Sequence, residues 1–199
     1  MTTAPSLSRA SSESSRFIVP RPGVGQLRLR PSGRGRGFVV GEVDANGPDT
    51  VGFANHDRVA WRDTSTELPE LLLLDQDDVL GVPDWITDEQ VVTLLGPGLI
   101  ARALLRHRRP VGSGDSVRVI STDPVVSALA TAWVRSLGAR VVEQGPALVL
   151  EYDPQSRRRG APASHGKLAQ AAVDVFQAIR SGVFADIDPM RRAGSATAA

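Results

Sequence analysis

Acidic side chains and the single tyrosine of this chain stand where they could do acid–base chemistry. Glu151, Tyr152 and Asp153 come at the end of one short apolar run, and Asp123 comes shortly after another. Open α/β sheets place ligands at the carboxyl ends of their strands, and crowded carboxylates raise one another's pKa. Tyr152, Asp153 and Asp123 are therefore candidate catalytic groups, and Glu151 is a candidate contact to a substrate. The alternative is that acidic residues end strands because loops are polar.

His56 is a further candidate acid or base, since imidazole titrates near neutral pH. The alternative is a solvated histidine in a turn. None of the histidines, which are His56, His107 and His165, pairs with another at ligand spacing, so the sequence predicts no metal site. The absence of cysteine excludes disulfides, thiolate zinc sites, iron–sulfur clusters and cysteine nucleophiles.

Composition narrows the class of protein. The 199 residues are 41% hydrophobic and 23% charged, which is ordinary for a globular protein. Lys plus Arg number 23 and Asp plus Glu 22, a balance that argues against a dedicated nucleic-acid or membrane-surface binder. The longest clean apolar run, Leu71 to Leu74, is far too short for a membrane span, and residues 1–16 do not resemble a signal peptide. We therefore expect a soluble, cytoplasmic protein.

The first half of the chain has the pattern of a small antiparallel β domain. Short β-like runs are separated by glycine and proline, and Asn46-Gly47-Pro48 is a strong turn signal. Arginines alternate with glycines around the first turn, without the aromatic side chains that stack on RNA bases. We expect a flexible hairpin with solvated charges, and the arginines concerned are Arg28, Arg30, Arg34 and Arg36.

Helices dominate after Asp84. Thr87 and Gln90 form a capping box, so a helix should begin at Asp88, and Gly96-Pro97-Gly98 should interrupt it. A strand over 116–120, a helix opened by Asp123-Pro124 and a strand over 140–142 then follow. That order is the βαβ unit of a parallel sheet. A third strand is expected over 147–151, a polar loop over 153–164 and a last amphipathic helix over 165–181.

Several segments, in order along the chain, resemble those of medium-chain dehydrogenases/reductases. They are Gly41-Glu42-Val43, Asp57-Arg58-Val59-Ala60, Gly98-Leu99-Ile100-Ala101, Gly114-Asp115-Ser116-Val117 and Leu137-Gly138-Ala139-Arg140-Val141-Val142. The resemblance covers residues 37–188, and the lack of cysteine favours the zinc-free quinone oxidoreductase branch. It implies an α/β fold in which a small antiparallel GroES-like β domain packs on a reduced Rossmann-like domain with a parallel sheet. We expect a truncated, degenerate member of the family.

The expected domain boundaries follow from the composition and the resemblance together. Residues 1–16 should be a disordered leader and residues 189–199 a disordered tail. Residues 17–86, with a contribution from the C-terminal helix, should form the β-rich domain of the catalytic type. Residues 87–188 should form the reduced Rossmann-like domain.

The resemblance also implies a lost cofactor site. The family's dinucleotide-binding glycines correspond here to Ser121, Pro124 and Ser127. Pro124 has no N–H to offer a diphosphate, and Asp123 would cap the helix with a negative charge. Ile100 stands where the family has a threonine that would hydrogen-bond near the nicotinamide. The sequence therefore predicts no cofactor.

Three functions stay open. The first is a cofactor-independent enzyme that binds a hydrophobic small molecule, such as a polyketide intermediate, between the domains and catalyses its cyclisation, isomerisation or dehydration. Trp85, Ile100 and Glu151 would contact that substrate, while Tyr152, Asp153, Asp123 and His56 would serve as donors or bases. The second is a non-catalytic binding or assembly module, and the third is a reductase that binds NADPH in an atypical way. A homodimer is compatible with all three, and neither a nucleic acid nor a membrane is an expected partner.

Overall fold

The computed structural model describes residues 19–63, 65, 67–106, 109–155 and 165–187. The expected leader over 1–16, the tail over 189–199 and most of the polar loop over 153–164 lie outside the described residues. His107 also lies outside them, and for His165 only the backbone is described.

The first half of the chain forms a five-stranded antiparallel sheet in the order β4-β1-β2-β3-β5. Both of its faces are covered. Leu27, Leu29, Val43 and Trp61 belong to a buried cluster on one face, because the sheet curls around them. Val40 and other residues of the opposite face pack into the main core of the molecule. The strands are β1 (Gln26–Gly35), β2 (Phe38–Asn46), β3 (Arg58–Arg62), β4 (Leu72–Asp75) and β5 (Val79–Gly81).

Helix α1 (Asp88–Leu105) lies between this sheet and the rest of the molecule. Its predicted start is confirmed: the Thr87 hydroxyl oxygen accepts a hydrogen bond from the Gln90 amide, and the Gln90 side-chain oxygen accepts one from the Thr87 amide. The predicted interruption is wrong, because the helix continues through Gly96, Pro97 and Gly98. All three residues are buried, so packing on both sides of the helix compensates for the hydrogen bond that Pro97 cannot donate.

Close packing explains the two glycines that flank Pro97. A Cβ on Gly96 would lie 2.6 Å from the carbonyl oxygen of Arg36, in the turn between β1 and β2. A Cβ on Gly98 would lie 2.8 Å from Val175 Cγ1 of helix α3 (His165–Arg180). These glycines therefore allow α1 to approach the hairpin on one side and α3 on the other.

The second sheet has three parallel strands in the order β7-β6-β8. Strand β6 (Ser116–Ser121), helix α2 (Pro124–Ser136) and strand β7 (Arg140–Val141) form the predicted βαβ unit. Gly138 ends the helix turn with φ of +75°, a conformation that glycine adopts without strain. Strand β8 (Leu148–Tyr152) pairs with the other edge of β6.

The parallel sheet is covered on one face alone within the described part of the chain. Val117 and Leu150 point inward and pack with residues of α1 and α2. Ile120 and Val149 point outward and are 45% and 46% exposed. This arrangement is unusual, since parallel sheets are normally buried on both faces.

Candidate functional site at the carboxyl edge of the parallel sheet

The carboxyl ends of β6 and β8 bring the predicted tyrosine beside a serine. Ser121 pairs with Tyr152 in the parallel register, so both side chains are on the face that α1 and α2 cover. Asp153 follows directly, and one of its carboxylate oxygens accepts a hydrogen bond of 2.9 Å from the Gln155 amide. Glu151 is exposed on the opposite face, because successive residues of a strand alternate. Tyr152 and Asp153 are therefore consecutive residues at the carboxyl end of β8, and Glu151 lies on the opposite face from Tyr152.

Asp123 closes the N-terminus of α2. Its Oδ1 accepts hydrogen bonds from the amides of Val125 and Val126, at 2.8 and 3.1 Å. The Ser121 hydroxyl accepts from the Asp123 amide at 3.1 Å and lies 3.0 Å from the Asp123 carbonyl oxygen. Asp123 is thus an N-cap whose carboxylate satisfies the helix's own donors, as the sequence predicts.

Arg36, from the hairpin of the antiparallel sheet, contacts the same edge of the parallel sheet. It lies at the turn of the β1–β2 hairpin, and its Nη1 is 3.4 Å from Asp123 Oδ2. This residue was not predicted as part of the site, because the arginine-rich hairpin was expected to carry solvated charges. The arginines are solvated only in part: Arg30 and Arg36 stay half exposed, but all four pair with carboxylates, and the other pairs are Arg28–Asp44, Arg30–Asp44, Arg30–Glu70 and Arg34–Asp63.

Ile100 lies on the side of α1 that faces the β1–β2 hairpin. It is half-buried and lies one helical turn beyond Gly96, on the face of α1 that meets Arg36. A branched alkyl side chain offers a substrate contact area but no hydrogen bond. The group at the carboxyl edge is therefore Arg36, Ile100, Ser121, Asp123, Tyr152 and Asp153, which we call the edge site.

His56 and Trp85 lie elsewhere. The His56 amide donates to the Val43 carbonyl, and Val43 is five residues along β2 from the end of the hairpin, about 17 Å of strand. Trp85 precedes α1, is 42% exposed, and has the Arg180 guanidinium 5.4 Å from its ring centroid. The structure does not bring either residue to the edge site.

A shallow cavity of about 260 Å³ opens at this far end of the antiparallel sheet. Arg58 is one of its walls and is held by the Ile86 carbonyl at 2.6 Å and by the Asp88 carboxylate. Burial raises the pKa of Asp88, but hydrogen bonds from Arg58 and Ser32 and the Arg58 charge lower it further than burial raises it. The other lining residues are Gly52, Phe53, Asp57, Gly81, Val82, Pro83 and Asp84.

The turn before α2 does not fit a dinucleotide. A diphosphate needs free N–H groups and a positive helix end, but Asp123 already uses two amides there and adds a negative charge. Pro124 has no N–H, and Arg36 is paired with the same carboxylate. Among the described residues no group of three His, Asp or Glu side chains could hold a metal ion. No described helix is long and apolar enough to cross a membrane.

The curled antiparallel sheet beside a parallel βαβ sheet defines the class: this is the two-part α/β fold of medium-chain dehydrogenases/reductases, as predicted. The chain is 29% identical to a quinone oxidoreductase of Pseudomonas aeruginosa over 126 residues, which are 63% of this chain and 37% of that protein. A mycobacterial quinone oxidoreductase superposes with a TM-score of 0.54 at 25% identity, over 77% of this chain and 50% of its own.

Escherichia coli quinone oxidoreductase complexed with NADPH has the same fold, with a TM-score of 0.52 at 17% identity, over 80% of this chain and 50% of its own. No protein-family model matches the chain. The chain is homologous to quinone oxidoreductases, which confirms the predicted resemblance. It spans 37% of the curated relative and about half of the solved structures it matches.

Proposed function

We propose that this chain is a quinone oxidoreductase homologue that works without a dinucleotide and does non-redox chemistry on a hydrophobic carbonyl compound at the edge site. The capped N-terminus of α2 carries the proposal. Asp123 and Pro124 leave few free N–H donors, and they put a carboxylate where a diphosphate would lie. A polyketide intermediate, which carries acidic hydrogens between its carbonyl groups, is the proposed substrate, and its apolar part would lie against Ile100.

Tyr152 and Asp153 would carry the reaction. The Tyr152 hydroxyl donates a hydrogen bond to the substrate carbonyl oxygen, and the Asp153 carboxylate removes a proton from the carbon next to that carbonyl. The electron pair of the broken C–H bond forms an enolate, whose oxygen Tyr152 stabilises. In a substrate with a double bond between the β and γ carbons this enolate is a dienolate, and return of the same proton to the γ carbon moves the double bond into conjugation with the carbonyl, which is an isomerisation without electron transfer. Cyclisation or dehydration would start from the same enolate.

Calorimetric titration with NADPH tests the first part of the proposal, with a full-length quinone oxidoreductase as the positive control. We expect no saturable heat for this chain. A micromolar isotherm would support instead a reductase with an atypical cofactor site.

Fluorescence titration with 1,4-naphthoquinone tests the second part, since Trp133 lies in the core next to the parallel sheet. We expect saturable quenching that weakens several-fold in Tyr152→Phe and is unchanged in His56→Ala, the matched control at the far end of the antiparallel sheet. Equal weakening by both variants, or no quenching at all, would contradict the edge site.

A second candidate function is an assembly module, and the uncovered face of the parallel sheet favours it. Ile120 and Val149 expose apolar surface on a kind of sheet that is ordinarily buried on both faces. Recovery of a stoichiometric protein partner without any bound metabolite would support this function over the first.

A further inference from the structure

Four side chains define the uncovered face of the parallel sheet, which we call the outer face. Arg118 and Ile120 come from β6, and Val149 and Glu151 come from β8. Ile120 and Val149 are 45% and 46% exposed, and Glu151 makes no ion pair among the described residues. Arg118 is half-buried: its Nη2 donates one hydrogen bond of 2.8 Å to the Gly145 carbonyl and its Nε is buried without a partner, which leaves the other N–H groups of its two terminal nitrogens for another partner.

The register fixes where these four side chains stand. Arg118 is paired with Val149, and Ile120 is paired with Glu151. They therefore occupy the corners of a rectangle about 4.8 Å wide and about 6.6 Å long. The two charges, which are opposite in sign, lie on one diagonal, and the two apolar side chains lie on the other.

We propose that a second copy of this chain covers the outer face and forms a two-fold symmetric dimer. A two-fold axis in the plane of the interface, directed along the Ile120–Val149 diagonal, exchanges the two charged corners. Arg118 of each copy then faces Glu151 of the other, while the apolar corners meet their own equivalents at the centre. The strands of the two sheets would cross at roughly 70°, which is near the orthogonal class of sheet packing.

The pattern favours a second copy over other occupants because the face is its own complement. A charged partner would need charges of one sign on this face, and an apolar partner would need apolar side chains alone. This face instead has one cation and one anion on opposite sides of a line of apolar side chains, so a second copy can match both. The inference rests on the outer face alone and does not depend on the proposed chemistry at the edge site.

The size of the face limits the affinity. Strands of six, five and two residues cover about 200 Å² per copy, well below the roughly 800 Å² per partner of a standard stable interface. We therefore expect a reversible dimer that forms between micromolar and millimolar concentrations of the full chain.

Sedimentation equilibrium across that concentration range tests the dimer. Val149→Lys places a like charge at the apolar centre and should raise the dissociation constant at least about tenfold. Val173→Lys is the matched control, since Val173 is 48% exposed on α3, away from the outer face, and it should leave the dissociation constant unchanged. A wild-type chain that stays monomeric up to millimolar concentration would overturn the proposal and leave another protein, or another segment of this chain, as the occupant.

A charge-exchange cycle tests the pairing and does not depend on whether Val149→Lys folds. Arg118→Glu and Glu151→Arg should each weaken the dimer, and the double variant should restore it, because the pair is reformed with its signs exchanged. Added salt should weaken the wild-type dimer. A dimer that forms equally in all these variants would show that it uses another surface.

Discussion

The two sheets of this molecule differ in how they are covered. The antiparallel sheet has a buried cluster on one face and the main core on the other, whereas the parallel sheet is covered on its inner face alone within the described residues. In most proteins the opposite holds, because antiparallel sheets often have one solvated face and parallel sheets are buried on both. The covered sheet therefore provides stability here, and the half-covered one presents both the edge site and the outer face.

Both of the proposed functional surfaces lie on the less covered sheet. Helix α1 packs closely against the β1–β2 hairpin at Gly96 and against α3 at Gly98. The parallel sheet presents Tyr152 at one edge and apolar side chains on one face. A protein derived from a quinone oxidoreductase scaffold could thus keep its core and change the ligand or partner of its smaller sheet.

The largest expected effect separates the two faces of a single strand. Leu150 is 3% exposed on the inner face of β8, and Leu150→Ala should lower the free energy of unfolding by about 3 kcal/mol. Val149→Ala, one residue earlier on the outer face, should change it by less than about 0.5 kcal/mol in the monomer. Urea denaturation at low protein concentration measures both. Comparable losses would show that the outer face is covered within the monomer.

The next effect concerns the contact between α1 and the hairpin. Gly96→Ala places a Cβ 2.6 Å from the Arg36 carbonyl oxygen, and backbone atoms must shift to relieve the clash. We expect a loss of about 2 kcal/mol. Gly81→Ala is the matched control, because a Cβ there meets no atom within 4 Å. Thermal denaturation measures both variants, and equal melting temperatures would contradict the close approach.

The same glycines show what the sequence could predict. Local signals gave the strand pattern, the capping box at Thr87 and the N-cap at Asp123, because each depends on residues within a few positions. Gly96-Pro97-Gly98 was wrongly predicted as an interruption, since the reason for these glycines is contact with Arg36 and Val175, 60 or more residues away along the chain. No local pattern reports such contacts.

The site was predicted in part for the same reason. Tyr152 and Asp153 could be placed at a strand end from the alternation of residue types. The pairing of Arg36 with Asp123 could not, because it joins a hairpin to a helix 87 residues later. The even spacing of Arg28 and Arg30 gave a usable signal, since both side chains pair with Asp44, but Arg36 lies in the turn after β1, where spacing along the strand gives no such signal.

A smaller effect tests the cap of α2. Asp123→Ala removes the acceptor of two helix amides and should cost about 1 kcal/mol. Asp123→Ser keeps a hydrogen-bond acceptor without the charge, so it should lower the free energy of unfolding by only a few tenths of a kcal/mol. Denaturant titration measures the free energy of unfolding of both. If Asp123→Ser gained saturable NADPH binding in calorimetry, charge alone, rather than charge together with Pro124, would be what excludes the dinucleotide.

The smallest effect is a pH dependence of the contact between the covered sheet and α1. The pKa of Asp88 is lowered from its usual 3.8: burial raises it, but the Arg58 and Ser32 hydrogen bonds and the Arg58 charge outweigh burial. A lowered folded-state pKa favours the charged form, so its stabilisation is complete above 3.8 and is lost as pH falls through the lowered value. Asp88→Asn should lower the free energy of unfolding at neutral pH by less than about 1 kcal/mol, because Asp88 is 43% exposed and water screens the pair.

Urea denaturation at several pH values checks this expectation. The wild-type chain and Asp88→Asn should differ at neutral pH and converge in strong acid, whereas Glu89→Gln, at the exposed next position of α1, should follow the wild-type curve throughout. A constant difference at every pH would mean that Asp88 acts through packing or neutral hydrogen bonds. The covered sheet would then be joined to α1 without any contribution from charge, and acid would destabilise the molecule elsewhere, for instance at Asp44, whose pKa the Arg28 and Arg30 hydrogen bonds also lower.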